Sequence, residues 1–427
     1  MIGLVDCNNF FVSCERLFNP SLEGKAVVVL SNNDGCVISR SNEAKVLGIP
    51  MGVPAFKIKE YTNPLNVVTL SCRHVIYRDI SDRVMALIGN YVESIQIYSG
   101  DECFFKLPYE DDERNYTFVR GLAATIKRDT GSPVSIGVAP SRTLAKIASH
   151  IAKKTRNGID NVYLLTREEQ FEPVLKTIPV GDVWGIGRRL NEKLLRNRVL
   201  TAYDLSISPM SWIKCMFTIN EERIVRELKG EDCAKINAID EPNKSIMASR
   251  SFGTLIEDKK TLWEAVAYFA SCCAERLRAQ NSAAMVVSVY VRGDEHKERE
   301  PFYSNTCDIR LETPSCDTAY ITQHALRAFN NIYRKGYKYK KAGVQLSHFV
   351  QNGEIQLNVF DNVDVDKQKR LMSALDKING VCGKGTLILG AQGVDKKWSP
   401  RKDHTAKQSS VLRIYSGMSF LDLGNKK

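Results

Sequence analysis

The stretch from Ile95 to Leu107 constrains this chain more than any other. Its two apolar runs, Ile95 to Tyr98 and Cys103 to Leu107, read as strands, and only Ser99, Gly100, Asp101 and Glu102 lie between them. So short a connection makes the pair antiparallel. The hairpin carries two adjacent carboxylates, and no Lys or Arg occurs from Val92 to Phe105. Two such charges repel, and a bound divalent cation would remove the repulsion. Asp and Glu oxygens are hard ligands that suit Mg²⁺ completed by substrate phosphates. A third carboxylate, Asp6, ends the apolar run Ile2 to Val5. Three carboxylates at strand ends are what two-metal phosphoryl transfer needs. Read alone, the Asp-Glu pair is also an ordinary acidic turn.

At 427 residues the chain is long enough for several domains, and its 43% hydrophobic content supplies real cores. No apolar run approaches the roughly 18 residues of a membrane helix. Met1 leads straight into a strand pattern, with no charged leader or cleavage site, so no signal peptide is expected. The twelve cysteines include no C-x-x-C pair, and several lie in apolar runs. That usage fits a reducing cytoplasm and argues against a zinc site. The net charge is +11, and residues 241–427 carry most of it while residues 1–240 are nearly neutral. Such a division suggests a polyanion held mainly by the second half.

Residues 1–175 alternate short apolar runs with stretches of helical spacing and predict α+β, a sheet with helices on one face. Ser41 to Leu47 reads as a short helix closed by Gly48. Ser141 is a candidate cap for a helix through Leu144, Ile147, Ala148 and Ile151. Residues 176–240 are helical with short connections. Gly185-Ile186-Gly187 followed at once by Arg188, Arg189 and Leu190 resembles a helix-hairpin-helix, whose glycines and helix-start N–H groups hold a DNA phosphate. Residues 241–350 form a second α+β unit. Within it, the run Arg334 to Lys341 interleaves Lys338, Lys340 and Lys341 with tyrosines ahead of a strand from Ala342 to Leu346, a basic strand edge suited to a DNA backbone. In residues 351–427, Gln356, Leu357, Val359 and Phe360 set apolar anchors in an exposed tail, the pattern of a docking peptide.

These motifs together resemble Y-family DNA polymerases, and most closely their UmuC branch. The resemblance runs over essentially the whole chain. It is carried by Asp6 to Glu15, Val27 to Arg40, Asn42 to Lys45, Tyr98 to Glu102, Arg142 to Lys146 and Asp182 to Arg189. Lys384 to Thr386 and Gly390 to Gly393 add the C-terminal signature of that branch. The resemblance implies an α+β multidomain right hand: palm (1–30 and 74–175), small fingers (31–73), helix-hairpin-helix thumb (176–240), α+β little finger (241–350) and a tail (351–427). Asp6, Asp101 and Glu102, with the Cys7 carbonyl, would hold two Mg²⁺ ions. Phe11 falls on the steric-gate position beneath the sugar. The Phe10 and Phe11 N–H groups, Ser39, Lys45 and Lys153 fall where the family binds the dNTP triphosphate. Gly185, Gly187, Arg188, Arg189, Lys338, Lys340 and Lys341 would contact primer-template DNA. Gln356, Leu357, Val359 and Phe360 look like a sliding-clamp peptide. Lys45 stands where many relatives have Arg, and Asn42 replaces a common Tyr. The implied activity is error-prone translesion synthesis of the SOS-mutagenesis type, in a bacterial cytoplasm at the nucleoid, alongside a cleaved UmuD-type dimer and a RecA filament. Two other readings remain at this level: a palm-type nucleotide cyclase, and a DNA-bound scaffold without catalysis.

Overall fold

A computed structural model of the chain describes residues 1–154, 161–233, 242–296, 301–351 and 365–405. They fall into two compact units. One takes in Met1–Ser31 and Cys36–Asp240, the other Asn32–Gly35 and Glu241–Asp403.

The strands of the first unit are β1 (Ile2–Cys7), β2 (Val27–Leu30), β3 (Val37–Arg40), β4 (Val68–Ser71), β5 (Ile95–Ile97), β6 (Glu102–Lys106), β7 (Val134–Ala139) and β8 (Val162–Leu164). Five of them make one sheet in the order β5-β6-β1-β7-β8, antiparallel except for the parallel β7–β8 pair. Helices cover both faces of this sheet, not one. Val5, Cys7, Cys103 and Phe105 pack under the helices Phe10–Phe18, His74–Gly89 and Asp112–Thr130. Ile2, Leu4 and Phe104 pack under Arg142–Lys154 and the helical region that follows. The signal was present in the sequence: β1 and β7 are buried at every position, and strands covered on both sides read as unbroken apolar runs rather than alternating ones. At Gly137 an added Cβ would lie 2.1 Å from the Ser149 backbone nitrogen, so only glycine lets the helix Arg142–Lys154 come this close to β7.

A second sheet, β3-β2-β4, turns Val27, Val29 and Leu70 to the large core and keeps Val28, Leu30 and Val37 for a small core of its own. The helices Arg188–Arg196, Ala202–Ile207, Met210–Met216 and Ile219–Leu228 share their core with Leu4 and Phe104. Buried Glu227 fastens them further, since its carboxylate accepts from the Thr143 N–H at 3.0 Å at the start of Arg142–Lys154.

The second unit holds β9 (Ser245–Ile256), β10 (Ser282–Arg292), β11 (Ser304–Ser315) and β12 (Tyr339–Gln351), in the order β11-β10-β12-β9. The helices Lys259–Ala279 and Thr318–Ile332 cover one face through Val287, Val289, Ala342, Val344 and Leu346. The expected basic strand edge is corrected here. The strand after Lys338 pairs on both sides, with β10 and with β9, and is interior. The helix Val365–Cys382 was not among the expected elements. In the segment beyond it Gln392 donates to Ser271 at 2.8 Å, and Trp398 is buried against Tyr268 and Phe269.

Candidate active site

Register places the acidic residues. In the β1–β6 ladder Asp6 stands directly opposite Glu102, and directly opposed residues share a face. Both therefore lie on the side of the sheet that carries the helix Arg142–Lys154. The turn is closed by Tyr98 and Ser99, whose N–H groups donate to the Glu102 carbonyl at 3.0 and 3.1 Å. The Asp101 carbonyl accepts from the Cys7 N–H at 2.9 Å, while its carboxylate takes the Ser99 hydroxyl at 2.7 Å.

The hairpin has no cation of its own in sequence, yet the fold brings one to Glu102 and another to Asp6 beside it. Lys146 reaches both Glu102 oxygens, at 3.2 and 3.0 Å, and Lys153 pairs with Asp6. Seven positions apart on one helix, these lysines lie on the same face. The Lys146 ammonium also sits over the Tyr98 ring at 4.4 Å and the Trp184 ring at 5.2 Å, and Trp184 donates its indole N–H to the Tyr98 hydroxyl at 3.1 Å. A cavity of about 230 Å³ opens beside Asp6, Glu102, Lys146, Lys153 and Trp184. Burial pushes the Asp6 carboxyl up to about 7; Lys153 holds it back only in part, and the Glu102 charge adds to the rise.

Among the described residues no three His, Cys, Asp or Glu side chains stand as a finished metal cluster. Lysines engage two of the carboxylates and Ser99 the third. The chemistry of the donors still fits a hard cation. Asp6 is buried, its charge is poorly compensated, and its carboxyl lies across a strand pair from a second carboxylate.

The predicted nucleotide residues gather at the start of the helix Phe10–Phe18. Asn9 enters it in the left-handed region, φ 49°, and gives it no side-chain cap. Its amide donates to Asn42 at 3.0 Å, and the same Asn42 oxygen accepts from the Lys45 ammonium at 3.3 Å. Asn42 therefore ties Lys45 to the helix entry. The Ser39 hydroxyl donates to the Asn9 carbonyl at 3.3 Å and accepts from the Val12 N–H at 3.4 Å. Burial, together with the nearby charges of Arg40 and Lys153, lowers the Lys45 pKa. In this cluster of three cations Lys153 pairs with Asp6, and the excess positive charge that remains suits an anion. Arg40 is a member that the sequence reading did not select, and its Nε has no hydrogen-bond partner among the described residues. Phe10 is buried, whereas Phe11 is half-buried and stacks on Tyr77.

Of the predicted DNA contacts, Gly185 has φ 92° and so needs glycine, and Gly187 is the N-cap of Arg188–Arg196. Arg188 pairs with Glu192 at 3.2 Å on the exposed surface. In the second unit Lys338 is exposed and Lys341 lies over the Tyr290 ring at 5.7 Å. Lys340 is half-buried, next to a bulge in the ladder between Tyr339 and Lys341. Gln356, Leu357, Val359 and Phe360 lie outside the described residues.

Residues 5–150 match the model of the impB/mucB/samB family, and residues 243–359 match the C-terminal domain of the same family. Residues 369–409 match a domain of unknown function, DUF4113. Protein UmuC of Salmonella typhimurium is 39% identical over 97% of this chain and 100% of its own length. The chain belongs to the impB/mucB/samB family of Y-family polymerases. Protein MucB of Escherichia coli is 33% identical over 96% of the chain and 99% of its own length. DNA polymerase IV of Desulfatibacillum aliphaticivorans is 28% identical over 90% and 94%. The solved structure of a Y-family DNA polymerase chimera superposes with a TM-score of 0.64 at 20% identity, over 82% of this chain and 100% of that one. This member of the family is thus a template-directed, error-prone DNA polymerase that copies past damaged bases. It binds DNA and nucleotides and depends on a divalent metal. Among its described residues no helix is long and apolar enough to cross a membrane.

Proposed function

We propose that Asp6, Asp101 and Glu102, with the Cys7 carbonyl, hold two Mg²⁺ ions and carry nucleotidyl transfer from a dNTP to the primer 3′-hydroxyl. The observation that carries this reading is the register of Asp6 opposite Glu102, on a face where the cations paired with these two carboxylates are the lysines Lys153 and Lys146. Ions held by these residues would supply Lewis acidity toward the attacking hydroxyl and charge neutralisation for the phosphates. The chain's own groups do the rest. Lys45 and Lys153, with Arg40 beside them, bind the triphosphate; as ammonium groups, Lys45 and Lys153 act as point charges rather than bidentate forks. The Phe10 and Phe11 N–H groups at the uncapped helix start add donors. Phe11 lies under the sugar and offers its 2′ position no room and no hydrogen bond. Releasing Ser99 frees Asp101 for the metal.

Gly185, Gly187, Arg188 and Arg189 hold the DNA backbone from the thumb (176–240). Lys338, Lys340 and Lys341 hold it from the little finger (241–350). Such contacts position the duplex without reading its sequence. The palm (1–30 and 74–175) and the fingers (31–73) meet at the nucleotide. Gln356, Leu357, Val359 and Phe360 dock in a sliding clamp, and a cleaved UmuD-type dimer and a RecA filament assist at the bacterial nucleoid.

Primer extension past an abasic site tests this reading, run with Mg²⁺, with the metal omitted, and with or without clamp, UmuD-type dimer and RecA. Extension should require Mg²⁺ and rise with each partner. Extension in the absence of any divalent metal would overturn the metal assignment. Clamp stimulation that survives replacement of Leu357, Val359 and Phe360 by Ala would remove the docking peptide.

A further inference from the structure

Phe11 is held by more than the helix that carries it. Tyr77, on the helix His74–Gly89, stacks on its ring with centroids 4.5 Å apart and 18° between planes. His74 meets both rings edge-on, at 5.9 and 6.0 Å. The far end of Tyr77 is tethered as well, since its hydroxyl donates to Glu15 Oε1 at 2.6 Å. Glu15 is 1% exposed, and Arg73 grips both its oxygens, with Nε at 2.9 Å from Oε1 and the terminal nitrogen on Oε2. Glu15 and Phe11 are four residues apart on one helix, so they share a face. Tyr77 therefore spans them, with its ring on Phe11 and its hydroxyl on Glu15. Burial and the Glu15 charge raise the Tyr77 phenol well above its ordinary pKa, which keeps it a donor at any working pH.

A core needs no such device. Replacing a buried ion pair by packed hydrocarbon is often neutral or stabilising, and fixing one arrangement is the best attested use of keeping it. Here the arrangement fixed is that of the ring beneath the sugar. Steric rejection of a single oxygen works only if the rejecting ring cannot yield, and misplacement by about 1 Å is enough to change a reacting geometry.

We propose that Tyr77, locked by Glu15 and Arg73, is the positioning residue that immobilises Phe11, so that this buried network sets discrimination between deoxyribonucleotides and ribonucleotides. The proposal rests on the reading of Phe11 as the gate.

The test is single-nucleotide insertion of dCTP and CTP opposite template guanine by the full-length chain. Tyr77→Phe keeps the ring and loses the tether, and Tyr77→Leu loses the stack. Since a stacked aromatic pair is worth about a two- to tenfold change in an equilibrium, the CTP:dCTP ratio should rise about twofold in the first and up to about tenfold in the second. Glu15→Gln should match Tyr77→Phe; if it does not fold, Tyr77→Phe, which preserves volume, decides alone. In a Phe11→Ala background Tyr77→Leu should add nothing to the ratio, which a merely structural role would not explain. The proposal fails if Phe11→Ala raises the ratio while both Tyr77 variants leave it at the wild-type value, or if the two effects add. If Phe11→Ala itself leaves the ratio unmoved, the gate reading fails, and this proposal with it.

Discussion

Glu15 and Asp6 are both buried carboxylates on neighbouring elements of one core, and their surroundings differ in kind. Glu15 receives two nitrogens of Arg73 and the hydroxyl of Tyr77, so its charge is fully partnered. Asp6 has one partially exposed lysine and faces a second carboxylate, and burial holds its carboxyl near 7. A saturated carboxylate gains nothing from another cation. An under-compensated one gains a great deal. The first kind fixes geometry, and the second keeps a place for an ion. Burial alone does not separate the two; the partner list does.

The sharpest break in this comparison is catalytic. Asp101→Ala or Glu102→Ala should lower single-turnover incorporation by about a thousandfold or more, the scale of losing one preorganised electrostatic element. Fold and primer-template affinity should stay near wild type. Wild-type extension rates in either variant would remove that residue from the metal set.

Next in size is stability, where the two carboxylates should part company. Glu15→Ala leaves the half-buried Arg73 without its counter-charge and should cost about 3–5 kcal/mol. Asp6→Ala relieves a poorly compensated charge and should cost little or nothing in the absence of metal. Denaturant midpoints at fixed pH with a chelator measure both. Equal losses would mean that Asp6 is as structural as Glu15.

The sugar gate follows. Phe11→Ala should raise CTP insertion relative to dCTP by at least about tenfold, which corresponds to about 1.4 kcal/mol. Insertion of dCTP should fall much less. If both rates fall together and their ratio holds, Phe11 is a core residue and the gate lies elsewhere.

What the sequence disclosed follows the same division. The hairpin, Asp6 at its strand end and the glycine turn at Gly185 were legible because each depends on neighbours in the chain. Lys146 as the partner of Glu102 was not, since that contact depends on which face of β1 meets the helix Arg142–Lys154. Arg40 and the span of Tyr77 from Phe11 to Glu15 were hidden for the same reason. β9 and β11 went unread because many of their positions are exposed or half-exposed, which dilutes the apolar alternation. Lys341 was read as lying on a strand edge because nothing local reveals that β9, far earlier in the chain, pairs alongside. The helix Val365–Cys382 escaped because, among its described side chains, only Met372 is buried.

The smallest expected effect probes Asp6 without any chemistry. Its carboxyl has an ordinary value of 3.8 and a folded value of about 7. Between those two pH values the native protein holds a proton that the unfolded chain has released. Stability therefore falls as pH rises through this window, and it levels off above it. A dry, rigid site would make the drop about 4 kcal/mol, but the Lys153 side chain is 36% exposed and the cavity admits water, which leaves about 1 kcal/mol. The measurement is the urea midpoint from pH 4 to 8 in a chelator, for wild type and for Asp6→Asn. Titrating groups away from the site act equally on both proteins, so the difference between the curves reports Asp6 together with its partners Lys153 and Glu102. Asp6→Asn should gain on wild type as pH rises toward 7 and then run parallel to it. Added Mg²⁺, which binds the ionised carboxylate, should close the gap from the wild-type side. Curves that stay parallel throughout would show that Lys153 already compensates Asp6, and the contrast with Glu15 would disappear.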